Sequence, residues 1–272
     1  MQYEPIKGKL GVLIKGNVFL RKTLYFFLDL LLLRTWHVKK ALRTIGAMLP
    51  ADAHMLDAGS GFGQYSWWVI RKNPGWFIRA VDINNDHIRD CEEFFGKTGR
   101  GGRIKCETAD LTTLKEENSY ELILSVDVME HIADDEAVFR NFNSALREGG
   151  FLVISTPSDQ GGSDVHSGDD HSFIDEHVRD GYGTGEIREK LERSGFTDVE
   201  TRYTYGIPGR ISWILSMKYP VSLLNISYLF FIFLPFYYLL AFPLSFILNF
   251  CDLYLKHKTG TGLLVTARKR RQ

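Results

Sequence analysis

Cysteine is scarce in this sequence of 272 residues, and what there is does not pair. Cys91, Cys106 and Cys251 are an odd set, at spacings that fit neither a disulfide framework nor a metal cluster. That points to a reducing, cytosolic compartment. Net charge is missing too. The 33 basic residues balance the 33 acidic ones, which gives no case for a nucleic-acid partner. No internal repeat or low-complexity segment is visible. The N-terminal apolar cluster TLYFFLDLLLL begins late, contains Asp29 and runs into RTWH instead of a small-residue cleavage site, so it does not read as a signal peptide. The most informative absence is local. From Pro220 to Cys251 not one side chain is charged, while Arg210, Lys218, Lys256 and Lys258 flank the run. Basic groups beside an apolar segment favour an anionic membrane surface. The closing ARKRRQ reads as a solvated terminus.

Residues 18–48 carry Leu20, Leu24, Phe27, Leu31 and Leu32 near one stripe, which predicts a helix. Its apolar face either packs on the core, the default, or lies in a bilayer surface. From 54 to 156, short apolar runs alternate with helical patterns. HMLDAGS, WFIRAVDIN, RIKCETAD, YELILSVD and GGFLVISTP read as buried strands. GQYSWWVIRKN, NDHIRDCEEFFGK and DDEAVFRNFNSALRE read as helices between them. This alternation predicts an α/β fold with a doubly wound, mostly parallel sheet. Ligands in such sheets bind at the carboxyl ends of the strands. After a polar loop rich in Gly and Asp, EIREKLERSG predicts a helix, and TDVETRYTYG and TGLLVTARK predict two more strands. The resulting division is a helical segment at 1–48, a sheet domain at 49–206 and 259–272, and an apolar helical insertion at 207–258.

LDAGSGFGQ follows the first strand and opens a helix. Gly59, Gly61 and Gly63 let the backbone turn tightly and approach a ligand. A dinucleotide fingerprint wants G-x-G-x-x-G, and counted from Gly59 its last position is Gln64, which argues against a nicotinamide oxidoreductase. Asp82 closes the second strand, Asp110 follows the third in TADL, SVDVMEHI follows the fourth, and REGG precedes STPS at the fifth. Together these motifs resemble the class I S-adenosylmethionine (SAM)-dependent methyltransferases, over about residues 50–206 and the closing strand. The resemblance implies a seven-stranded, Rossmann-like sheet with SAM as cofactor. It implies that Asp57 and the three glycines surround the methionine part of SAM and that Asp82, with Ile83, holds the ribose. It also implies that Asp110 and Leu111 border the adenine, with Val126 at the pocket. Taken singly, Asp57 and Asp110 also suit turn caps.

A hydroxyl or ammonium acceptor must lose a proton, which calls for a base. Asp127-Val-Met-Glu130-His131 is similar to the ubiquinone-pathway O-methyltransferases, in which an acidic–x–x–Glu–His pattern can carry a divalent metal. Here Asp127 stands where those enzymes have Glu. A Glu–His pair at this place is otherwise a helix cap that shapes the cofactor pocket, and the metal stays open. His131, His166 and His171 are the candidate bases, the last two from the loop after the fifth strand.

In this fold the last two strands form an antiparallel pair, so both ends of the apolar insertion must return to one sheet. A single membrane crossing is therefore excluded. A re-entrant or monotopic hairpin over 211–256 fits, bent near Pro235 and Pro243, with Trp213, Tyr228, Tyr237 and Tyr238 at headgroup level. The alternative is a buried cap or a homodimer interface. The expectation is a methyltransferase on the cytoplasmic face of a membrane, acting on a lipid-like or apolar-tailed small molecule, by preference at oxygen. The competing readings are a methyltransferase of a soluble acceptor that dimerises through the insertion, and a non-catalytic membrane adaptor on a SAM fold.

Overall fold

The computed structural model describes residues 16–161 and 178–271. Seven strands form one sheet: β1 (His54–Ala58), β2 (Phe77–Asp82), β3 (Ile104–Thr108), β4 (Tyr120–Val126), β5 (Leu146–Pro157), β6 (Phe196–Thr204) and β7 (Gly262–Lys269). Their spatial order is β3-β2-β1-β4-β5-β7-β6. β1 to β5 pair in parallel, and β7 runs antiparallel to both β5 and β6. The order reverses between β1 and β4, the place where such sheets open a crevice for a ligand.

Alternate residues of each strand feed opposite cores, as the two-residue period requires. Met55 of β1 packs with Tyr25, Val38, Trp67, Ile70 and Phe94. Its neighbour Leu56 packs with Phe139, Phe142 and Ile187 on the other face. The first core is closed by α1 (Val18–Leu31), α2 (Leu33–Gly46), α3 (Gln64–Lys72) and α4 (Asn85–Lys97), the second by α5 (Asp135–Ala145) and α6 (Thr184–Arg193). Capping side chains start three of these helices, Asn17 accepting from the amide of Leu20 at the first. Asn84 accepts from the amides of Asp86 and His87, and Asp134 from that of Ala137.

The N-terminal segment departs from expectation. It is two helices broken at Leu32, whose backbone is extended. The predicted apolar stripe is only partly covered: Leu24, Leu31 and Leu32 are half-buried, while Leu20 and Phe27, with Phe19 and Phe26 beside them, are exposed. The buried residues of α1 are Arg21 and Tyr25. A charged side chain wins that place because it finds partners for its donors: Arg21 reaches Tyr25 Oη, the carboxylate and carbonyl of Asp90, and the carbonyl of Phe62. A buried guanidinium without them would be untenable.

The insertion leaves the sheet after β6 and returns to it at β7, and Thr204 and Gly262 at its two feet are paired across the strands. It comprises α7 (Ile207–Trp213), a wide π-type turn (Ile214–Lys218), α8 (Tyr219–Ile226), a 3-10 turn (Tyr228–Ile232) and α9 (Leu234–Tyr254). The reversal is not made at the expected prolines. Pro235 sits in the first turn of α9, where its missing N–H costs nothing, and Pro243 lies inside the helix. The chain turns between Ser227 and Phe233 instead. Tyr237 and Tyr238 tie the two arms together: their hydroxyls donate to the carbonyls of Leu215 and Ser216 at 2.6 and 2.7 Å, next to Pro220, which has no amide to offer either carbonyl.

The root of the hairpin is polar. Asp252 of α9, fully buried, lies 2.9 Å from His37 Nε2 of α2 and accepts from the amides of Tyr205 and Gly209. Burial holds the His37 imidazole below its ordinary pKa, so it stays neutral and donates through Nε2. Asp252→Ala strands these three donors in the interior. It is expected to lower stability by about 3 kcal/mol, read as a shift in the chemical-denaturation midpoint.

Candidate active site

The glycine turn after β1 is shaped by φ rather than by side chains. Gly59 (φ 80°) and Gly61 (φ 50°) lie in the left-handed region, which side chains with a Cβ rarely adopt. The two differ in surroundings. A Cβ on Gly59 would meet Val128 Cγ2 at 2.1 Å, whereas one on Gly61 would meet nothing within 4 Å. Gly59 is thus needed for packing and Gly61 faces open space, where a ligand can approach the backbone. Gly63 (φ 73°) backs onto Cys91 and Phe95 of α4.

Asp82 braces this turn. One carboxylate oxygen accepts from Gly61 N at 2.8 Å and the other from Asn84 N at 2.9 Å. Partial burial would raise its pKa, but the nearby His87 ring and the hydrogen bonds from the amides of Asn84 and Gly61 outweigh it and hold the carboxyl below its usual value. An ionised Asp82 keeps lone pairs for two more donors. Ile83 beside it is 75% exposed, an apolar side chain at the crevice with no cover. Asp57 is turned inward, where Ser66 Oγ donates to it at 2.6 Å. Burial, against the opposing pull of that hydrogen bond, pushes its carboxyl up to about 6. Asp110 is exposed, and its Oδ1 accepts from the amide and hydroxyl of Thr112, so it caps its own turn. Leu111 is buried in the second core and Val126 is half-buried at the end of β4.

Past the strand ends a second space opens, a cavity of ≈ 320 Å³. Asp127, Ser155 and Thr156 line it from β4 and β5, and Tyr205, Arg210 and Trp213 from the hairpin root. Asp127 (φ 52°) and Tyr205 (φ 54°) are both in the left-handed region, and such strained backbone collects at functional sites. Arg34 of α2 ties the two together: its guanidinium pairs with Asp127, and its amide donates to Tyr205 Oη at 3.1 Å.

The candidate bases are not gathered here. His131 is exposed on the short turn Met129–His131 and is not among the lining residues. His166 and His171 lie outside the described residues. Glu130 is buried and accepts from Thr156 Oγ1 at 3.1 Å, and burial pushes its carboxyl up. With Asp127 held by Arg34 and Glu130 by Thr156, the acidic–x–x–Glu–His stretch does not converge. Among the described residues no group of three or more His, Cys, Asp or Glu is placed to hold a metal.

Residues 56–152 match a family model described as a methyltransferase domain. Phosphoethanolamine N-methyltransferase 1 of Triticum aestivum is 29% identical over 159 residues, covering 56% of this chain and 30% of that protein. The ubiquinone biosynthesis O-methyltransferase of Parvibaculum lavamentivorans is 30% identical over 105 residues, covering 39% of this chain and 40% of that protein. Residues 56–152 thus carry a methyltransferase domain, similar to SAM-dependent enzymes. The chain spans less than half the length of these curated relatives. Among solved structures, phosphoethanolamine N-methyltransferase 2 of Haemonchus contortus in complex with S-adenosyl-L-methionine superposes with a TM-score of 0.61 at 20% identity. The match covers 87% of this chain and 53% of that one. The [4+2]-cyclase SpnF superposes with a TM-score of 0.59 at 16% identity, covering 86% and 82%. One fold therefore carries different chemistries, and the site has to argue the activity.

Sequence reasoning did not find Arg21, Arg34 or Tyr205. The glycine turn carries its own signal, but a helix that braces it from far along the chain carries none. Asp57 gives a direct test. Its native pKa of about 6 lies above the ordinary 3.8, so its contribution is most favourable at acid pH and is lost as pH rises through 6. Asp57→Asn is expected to raise the melting temperature above pH 6 and to flatten the fall in stability between pH 4 and 6. An unchanged pH–stability profile would show that Asp57 does not titrate in this range.

Proposed function

We propose that this chain is a SAM-dependent methyltransferase held on the cytoplasmic face of a membrane by its hairpin, with an apolar-tailed small molecule as acceptor. The observation that carries this reading is the cavity at the strand ends. Its wall joins the carboxyl ends of β4 and β5 to the root of the apolar hairpin. An acceptor whose polar end lies among Asp127, Ser155 and Tyr205 has Trp213 as its exit toward apolar surface.

The polarity of the hairpin supports a membrane. Its buried residues include Ser212, Ser216, Ser245, Asn249 and Asp252, and Ser212 Oγ donates to Ser245 O at 3.1 Å. Its exposed residues include Ile226, Leu229, Phe236, Leu239 and Leu240, the last 80% exposed. A core helix of a soluble protein is mostly buried, whereas only 17% of the apolar window of α9 is. Small and polar residues inside with apolar ones outside is the packing of helices in lipid. The three free cysteines suit a reducing compartment.

When bound, SAM supplies an electrophilic methyl group on a sulfonium. The chain positions and deprotonates. Gly61 and Asp82 offer backbone room and ribose acceptors at the switch point. Asp127 replaces the histidines as the candidate proton acceptor, being the carboxylate among the described lining residues, oriented by Arg34.

Incubation with methyl-labelled SAM and a total lipid extract is expected to place label in the organic phase, where product analysis separates oxygen from nitrogen methylation. Asp127→Asn is expected to cut that rate by about 100-fold without altering the melting temperature. Label confined to water-soluble products would refute the lipid-like acceptor. Removing residues 211–256 is expected to yield protein soluble without detergent, while the full chain stays with membranes. A full chain that is soluble and monomeric in plain buffer would overturn the membrane reading.

A further inference from the structure

A second cavity, of ≈ 370 Å³, lies between α1 and α3, away from the strand ends. Its centre is Trp67, and three cations surround that one indole: Lys22 at 5.2 Å, Arg71 at 5.3 Å and Arg100 at 5.2 Å from the ring centroid. All three line the cavity. The one carboxylate in the lining, Asp29, is engaged elsewhere. It pairs with Lys39 and accepts from Gln64 Nε2 at 2.8 Å. Three like charges around one ring repel one another, and the indole face offsets only part of that. Arg100 Nε is buried and has no hydrogen-bond partner among the described residues. The arrangement suits an anion with oxygen acceptors, and guanidinium groups suit phosphate.

The rim distinguishes between a free anion and a lipid. Phe26 lines the cavity with its ring 60% exposed, and Phe19 and Phe27 are exposed on the same helix. α1 runs through Leu32 into α2, whose Trp36 packs edge-on against Phe246 of the hairpin with centroids 5.0 Å apart. The aromatic rim and the hairpin thus belong to adjoining elements. We propose that this cavity is a headgroup site for an anionic phospholipid, distinct from the acceptor cavity. The phosphate lies against Lys22, Arg71 and Arg100, and the acyl chains leave over Phe26. This rests on the membrane reading above and gives α1 the role of a second contact with the bilayer. It accounts for the outward stripe on α1 and for the indole–cation cluster together.

The test uses the full chain in zwitterionic detergent micelles, titrated with short-chain phosphatidylglycerol or phosphatidylcholine, with retained lipid read by native mass spectrometry. The wild type is expected to favour phosphatidylglycerol by about tenfold. Arg71→Gln combined with Arg100→Gln is expected to abolish the preference, and Lys22→Gln, on the exposed face of α1, to reduce it without altering stability. Equal retention of both lipids by the wild type, or an unchanged preference in the variants, overturns the headgroup site. Inorganic phosphate that raises the melting temperature of the wild type but not of the double variant, with no lipid preference, would assign the site to a free anion and overturn the lipid. A full chain that needs no detergent defeats the membrane reading itself. One that needs detergent yet shows no lipid preference defeats only this site.

Discussion

The carboxylate of Asp252 is the point on which the two halves of the molecule depend. It sits at the foot of α9, fully buried, and faces His37 from α2 and the amides of Tyr205 and Gly209 from the other foot of the hairpin. A buried charge is tolerated only when its acceptor capacity is used. Using it here joins three segments far apart in sequence. The join also fixes Tyr205, and Tyr205 with Arg34 and Asp127 shapes the cavity at the strand ends. A long apolar element can therefore project from the sheet without loosening the place where chemistry is proposed.

Arg21 plays the matching part on the other side of the crevice. From α1 it reaches the carbonyl of Phe62 in the glycine turn and both the carbonyl and carboxylate of Asp90 in α4. A turn built from three residues at positive φ has little of its own to hold it, since glycine gives up the most backbone entropy on ordering. Asp82 from below and Arg21 from the side supply that order. The burial of Arg21 has a geometric consequence. A helix that turns its charged face inward turns its apolar face outward, and Phe19, Phe26 and Phe27 stand in solvent for that reason.

The same inversion recurs in the hairpin, where serine, asparagine and aspartate are inside and leucine and phenylalanine outside. In water such an arrangement is costly, because burial of apolar area is the main favourable term in folding. In lipid the cost disappears, and the remaining demand is that backbone groups be satisfied. Tyr237 and Tyr238 meet that demand at the carbonyls of Leu215 and Ser216, near Pro220 with its missing amide donor. The proline and the tyrosines thus form one device, though they lie on different arms.

By itself the sequence determined the sheet, the glycine turn, Asp82 and the position of the insertion. Each depends on local signals: the short apolar runs of β1 to β5, glycine where φ is positive, a carboxylate at a strand end. The match over residues 56–152 falls on that same stretch. Tertiary structure decided the rest. The apolar stripe over residues 18–48 does not reveal which face of the helix is buried, and the partners of Arg21 decide that it is the face carrying this charge. His131 is a candidate base from its motif, and only the fold places it exposed on a short turn outside the lining of the cavity at the strand ends. Pro235 and Pro243 suggested bends, yet Pro235 falls in the first turn of α9 and Pro243 inside that helix, and the chain turns just before them. Arg34, Tyr205 and Asp252 carry no motif at all. Their roles arise from contacts across the fold, and a pattern of residue types along a chain does not encode which distant backbone amide a buried carboxylate will meet.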